Sequence, residues 1–128
     1  METHRIIVET LARSESQKER SILPKIELEA QTQEPQHLTY WINDQDNLVN
    51  IPIIPSTLNY LIIRATYTQD DTQAGIQAGD LAPFHVRVDG DTQDRARKGL
   101  YVLTGDVTSL EVGTPVTNGK VELKVLMG

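Results

Sequence analysis

The chain has 128 residues, with 18 acidic and 12 basic side chains, a formal net charge of −6 and no cysteine. That length supports one domain with a core of its own. The composition excludes disulfides and thiolate metal sites, and the acidic balance argues against a surface built to neutralise phosphates. No apolar run approaches the roughly 20 residues needed to span a bilayer. The first twenty residues lack the apolar segment of a signal peptide, their longest apolar run being Ile6-Ile7-Val8. The expected setting is therefore the cytoplasm or a particle assembled there.

In chain order, residues 10–21 (TLARSESQKERS) carry helix formers but almost no apolar face. A helix polar all round is not stable alone, so a short surface helix or a flexible arm is expected, and residues 1–24 are read as an N-terminal arm ahead of a domain over 25–128. From Lys25 onward the dominant signal is alternation with period two. Residues 25–30 alternate apolar with charged, and residues 37–42 place Leu38, Tyr40 and Ile42 on one face. Residues 59–68 (NYLIIRATYT) are rich in β-branched and aromatic side chains and group Leu61, Ile63, Ala65 and Tyr67. Residues 84–88 turn Phe84, Val86 and Val88 inward. Residues 100–104, 107–112 and 120–127 follow, the last with Val121, Leu123, Val125 and Met127 against Lys120, Glu122 and Lys124.

Turn chemistry separates these runs. Residues 43–47 (NDQDN) form a polar turn, and Pro52 and Pro55 bracket Ile53-Ile54, which suits an edge or an irregular strand. Asp89-Gly90, Gly105-Asp106 and Asn118-Gly119 are turn signals, Asn-Gly being the strongest short hairpin signal. Residues 69–80 (QDDTQAGIQAGD) form a long loop with an internal echo, expected to be mobile and available for contacts. The whole predicts an all-β fold, an antiparallel β-sandwich or barrel of about 7–8 short strands with a polar N-terminal arm.

Candidate chemistry is sparse. Around Gly90 stand Asp89, Asp91 and Asp94. Laid on a calcium loop that starts at Asp89, position 5 is Gln93, position 6 is Asp94 rather than glycine, and position 12 is Leu100 rather than glutamate. Arg95, Arg97 and Lys98 follow at once and would compete with a cation. A hairpin tip is the better reading, with a calcium or glycan site as the alternative. The pairs Asp44/Asp46, Asp70/Asp71 and Asp89/Asp91 all sit in polar loops, where solvated turn acids are expected rather than a catalytic pair. His4, His37 and His85 share no metal-site spacing, and no HExxH, GxSxG or phosphate-loop pattern occurs. No catalytic residue, metal ligand or cofactor is assigned. Trp41, the sole tryptophan, falls on the strand face opposite Leu38, Tyr40 and Ile42. The preferred reading buries it in a strand covered on both sides, and the other exposes it as a partner anchor.

The last quarter of the chain, GLYVLTGDVTSLEVGTPVTNGKVELKVLMG (residues 99–128), resembles the closing strands of small β-sandwich structural proteins of tailed-phage virions. A "VLTGDVTSLEV" pair of strands there precedes a turn and a last alternating strand. The resemblance implies assembly rather than catalysis and carries no functional residue over. It points to a non-enzymatic virion protein, foremost a capsid decoration or cement protein, with a tail, neck or baseplate component as the alternative. Its partners would be the major capsid protein and further copies of itself. Nucleic acid, membrane and small-molecule substrate are not expected among them. The contact candidates are Ile6, Ile7, Val8 and Leu11 in the arm, Trp41, and Ile76 in the long loop.

Overall fold

The computed structural model describes residues 2–12, 20–32, 36–55, 57–91, 95–105 and 107–128. Ten strands are present: β1 (Glu2–Ala12), β2 (Arg20–Thr32), β3 (Gln36–Ile42), β4 (Val49–Ile51), β5 (Tyr60–Tyr67), β6 (Pro83–Val88), β7 (Arg95–Lys98), β8 (Leu100–Thr104), β9 (Leu110–Gly113) and β10 (Val121–Met127). The only helical element among the described residues is a single 3-10 turn, Asp44–Asp46. The chain divides into two units, Met1–Gln33 and Glu34–Gly128.

The second unit is a β-sandwich of two four-stranded antiparallel sheets, ordered β3-β10-β5-β8 and β4-β9-β6-β7. The antiparallel all-β class is the one the alternation predicts, although β7 was not among the expected strands. β10 lies between β3 and β5, and the register sets Leu123 between Tyr40 and Ala65, and Val125 between Leu38 and Ile63. Val121, Leu123, Val125 and Met127 are all buried, as are Leu61, Ile63 and Ala65. The facing sheet contributes Ile51, Phe84, Val86, Leu110 and Val112 to the same core. A one-residue slip of β10 would turn its four apolar side chains out to water. At about 1.5–3 kcal/mol each, that loss is comparable with the whole stability of a domain. This fixes the register and, with it, which residues face outward.

The first unit corrects the arm. Residues 2–12 and 20–32 pair as an antiparallel hairpin, with Ile6 opposite Leu28 and Val8 opposite Ile26, and with register shifts around Thr10. Thr10, Leu11 and Ala12 therefore extend β1, and Arg20 and Ser21 open β2, so they are neither a helix nor an unpaired arm. Residues 13–19 lie outside the described residues. The expected boundary between 24 and 25 falls inside β2, and the run 25–30 belongs to the hairpin instead of the sandwich. The physical reason is backbone pairing. A polar segment with no apolar face still satisfies its N–H and C=O groups on an adjacent strand.

The long loop between β5 and β6 is also ordered. Asp71 and Ile76 exchange both backbone hydrogen bonds at 2.9 Å. The two Gln-Ala-Gly units of its echo close turns that are offset by one residue. Gly75 N–H donates to Thr72 C=O and Asp80 N–H to Gln77 C=O, with Gly75 and Gly79 both at positive φ. In each half the preceding alanine N–H is held by an aspartate, Ala74 by Asp71 Oδ1 at 3.3 Å and Ala78 by Asp70 Oδ1 at 2.8 Å. Glycine is needed because left-handed backbone costs other residues about 1–2 kcal/mol.

Candidate interaction surface

The acidic turns are structural. Asp89 and Gly90 both have positive φ, and Asp91 N–H donates to Val88 C=O at 3.0 Å, the signature of a tight hairpin turn leaving β6. Asp89 Oδ1 then accepts from Thr108 N at 2.6 Å, Thr108 Oγ1 at 2.8 Å and Ser109 N at 3.2 Å. These bonds lash the turn to the chain entering β9. Asp46 Oδ2 caps the 3-10 turn by accepting from Asn43 N at 2.8 Å, and Asp80 Oδ2 accepts from Gln77 N. Residues 92–94 lie outside the described residues, so the expectation for Asp94 is not addressed. Among the described residues no three His, Asp or Glu side chains converge as a metal site would require.

Hydrogen bonds from the Thr108 backbone, the Thr108 hydroxyl and the Ser109 backbone hold the Asp89 carboxyl below its ordinary range. Its folded pKa thus lies under its unfolded one. The stability it contributes is present above about pH 4 and drains away as pH falls through the folded value. The Thr108 amide NMR signal is expected to titrate with Asp89 below about pH 4. In Asp89→Asn that step should vanish, and a midpoint at or above the ordinary carboxylate value would contradict the brace.

The contact candidates fall in three separate places. In the hairpin, Ile6 is half-buried, while Ile7 and Val8 are exposed on opposite faces of β1. The Leu11 side chain lies outside what the structure describes. The ion pair Arg5–Glu27 at 2.8 Å joins the two strands, and Lys25–Glu27 at 3.1 Å runs along β2. Exposed pairs of this kind are worth at most about 1 kcal/mol, and an isolated two-stranded hairpin is marginal in water. Ile76 is half-buried in a cleft of about 250 Å³ at one end of the sandwich, with Tyr67, Pro83, Pro115 and Val116. Gln69 Nε2 donates to Asn118 Oδ1 at 2.7 Å at the rim of that cleft.

Trp41 is the third, and it is not in the core. It is 56 % exposed. Positions 37, 39 and 41 of β3 face out from the sheet, and an antiparallel sheet needs cover on only one side. Trp41 does not stand alone there. The register aligns Trp41 with Glu122, Thr66 and the bridged Leu81. The next outward row is Thr39, Lys124, Arg64 and Leu100, and the one after it is His37, Leu126, Ile62 and Val102. Leu100 is 54 %, Leu81 45 % and Val102 40 % exposed. Of the five exposed large apolar side chains among the described residues of the sandwich unit, only Ile54 lies off this face. A shallow hollow of about 280 Å³ lies among His37, Thr39, Ile62, Arg64, Lys124 and Leu126.

The outer face of β3-β10-β5-β8 thus carries an apolar strip along β8 and Trp41 at its other edge, with Arg64, Lys124 and Glu122 between them and Lys124 Nζ 3.7 Å from Glu122 Oε1. Leu81, Leu100, Val102, Ile62 and Leu126 were absent from the contact residues read off the sequence. The signal for most of them was present. Once Leu61 and Ile63 face in, Ile62 must face out, and the same parity exposes Leu100, Val102 and Leu126. Leu81 had none, since it enters the face through an isolated bridge to Thr66.

No family model matches the chain, and no match was found among curated proteins or among solved structures. No helix among the described residues is long and apolar enough to cross a membrane.

Proposed function

We propose that the protein is a non-enzymatic assembly protein that works by docking onto neighbouring subunits. With the resemblance of residues 99–128, the specific proposal is a virion structural protein, foremost a capsid decoration or cement protein. The observation that carries the docking reading is the outward face bearing Trp41, Leu81, Leu100 and Val102. Leu81, Leu100 and Val102 form an exposed apolar strip along the β8 edge, the kind of surface that marks interaction sites, and the exposed Trp41 at the opposite edge is a favoured anchor. Arg64 within this face suits an acidic or carbonyl-rich partner surface. A shell supplies many equivalent sites, so modest single contacts sum to a large stabilisation of the lattice.

Leu100→Glu tests this reading. Leu100 is exposed on an edge strand, so the substitution should change folding stability by no more than about 0.5 kcal/mol. Binding to particles lacking the protein should fall by at least about tenfold, because the carboxylate would be desolvated in an apolar contact. Unchanged binding of a folded Leu100→Glu protein would remove this face from the account.

A further inference from the structure

The four edge strands of the sandwich are β3 and β8 in one sheet, β4 and β7 in the other. An edge strand offers unpaired N–H and C=O groups to any passing strand, and proteins blunt such edges with brevity, proline, bulges or charge. β4 has three residues and runs into Pro52. β7 reads RARK, three of its four residues basic. β8 has five residues bounded by Gly99 and Gly105, and the Arg97 guanidinium lies over its Tyr101 ring at 5.2 Å. β3 has none of these protections. Its seven residues, QHLTYWI, include no proline and no charged group other than the titratable His37, and they pair with β10 without a bulge.

We propose that β3 is a self-association edge, pairing antiparallel with β3 of a second copy about a two-fold axis at Thr39. This deepens the docking reading, on which it rests for its setting, and it names a second copy of this chain as the partner. The argument for that partner is the strand's fit to its own copy, since the register about Thr39 brings no Asp, Glu, Lys or Arg of β3 face to face. With Thr39 opposite Thr39, His37 meets Trp41 and Leu38 meets Tyr40, each pair occurring twice. Threonine pairs and aromatic pairs are among the favoured cross-strand neighbours, and no like charges meet. Isologous contacts must be self-complementary in this sense. β3 pairs with β10 alone in its sheet, so its other edge carries the backbone groups a second strand would need. The product is one eight-stranded sheet running across two copies, with the apolar outer faces side by side and pointing the same way. Such a dimer would present a doubled docking surface.

The test is sedimentation of the full chain. Wild-type protein should form a dimer, and the sole tryptophan, Trp41, should blue-shift in fluorescence as concentration rises. Thr39→Lys sets two ammonium groups opposite each other at the axis and should weaken the dimer by at least about tenfold. Thr39→Glu should do the same, and an equimolar mixture of the two should recover a dimer. A thermal melt reads separately any repulsion from neighbouring Lys124. The chain has no cysteine, so Thr39→Cys should cross-link to itself under mild oxidation, since facing residues across an antiparallel pair meet the spacing a disulfide requires. Val102→Cys, on the far edge, should not. A monomeric wild type, a dimer indifferent to Thr39→Lys, or a mixture that stays monomeric would overturn the proposal. Leu100→Glu should still dimerise. Loss of the dimer alone would sink this inference, whereas a sound dimer with particle binding indifferent to Leu100→Glu would sink the docking reading.

Discussion

Replacing Phe84 by alanine is expected to destabilise the sandwich by about 3–5 kcal/mol. Phe84 is the only phenylalanine in the chain and is almost wholly buried. It sits on β6, between β9 and β7 in its sheet, and belongs to the core cluster that joins the two sheets. Truncation removes a ring from a close-packed interior that can collapse only in part. A domain holds about 5–15 kcal/mol in total, so the variant should melt about 12–40 °C lower, at roughly 4–8 °C per kcal/mol for a unit of this size. Phe84→Leu, which keeps most of the volume, should cost less than about 1.5 kcal/mol. Chemical denaturation of both variants checks this. A loss under about 1 kcal/mol for Phe84→Ala would mean that the core is not closed at that point.

Gly99→Ala should cost about 2–4 kcal/mol, a large effect for the addition of one methyl group. Gly99 is where the chain leaves β7 in one sheet and enters β8 in the other. Its φ is +76°, so a side chain is strained there whatever the space. A Cβ at that position would also meet Leu81 Cβ at 2.5 Å and Cγ at 2.8 Å. Leu81 cannot simply swing away, because the clash begins at its own Cβ and its backbone is bridged to Thr66. Gly99 is further held by its N–H to Ala82 C=O at 2.9 Å and by Ala65 N–H to its carbonyl at 2.8 Å. Because Leu81 and Leu100 flank it, Gly99→Ala should also disturb the exposed face, visible as shifted NMR signals for both leucine methyl groups. Wild-type stability in Gly99→Ala would contradict the crossover geometry.

The sandwich was legible because its strands obey one rule. β10 and β6 alternate cleanly, and each inward residue read from that alternation is buried or packed against the core. Of the hairpin, only the alternating run 25–30 was legible as a strand. Residues 10–12 and 20–21 have no periodicity of their own, and what makes them strands is register with each other across residues 13–19. Trp41 was misplaced toward the core because size and hydrophobicity outweighed parity. The alternation had already set it opposite Leu38, Tyr40 and Ile42. The loop 69–80 looked mobile because its order comes from aspartate side chains gripping backbone N–H groups, a pattern that polar composition also produces in unstructured segments. The contact face was half visible. Parity gives Ile62, Leu100 and Val102, but only the sheet order β3-β10-β5-β8 shows that they and Trp41 share one surface.

The same sheet order ties the two proposals together, since β3 and β8 are opposite edges of the docking face. The most direct measurement is density-gradient purification of virions from cells producing this protein, followed by quantitative mass spectrometry of the particle band. The account predicts the wild-type chain in the band at a copy number commensurate with the shell, and folded Leu100→Glu protein left at the top of the gradient. A particle band without the wild-type chain, or one that holds Leu100→Glu as fully as wild type, would contradict it.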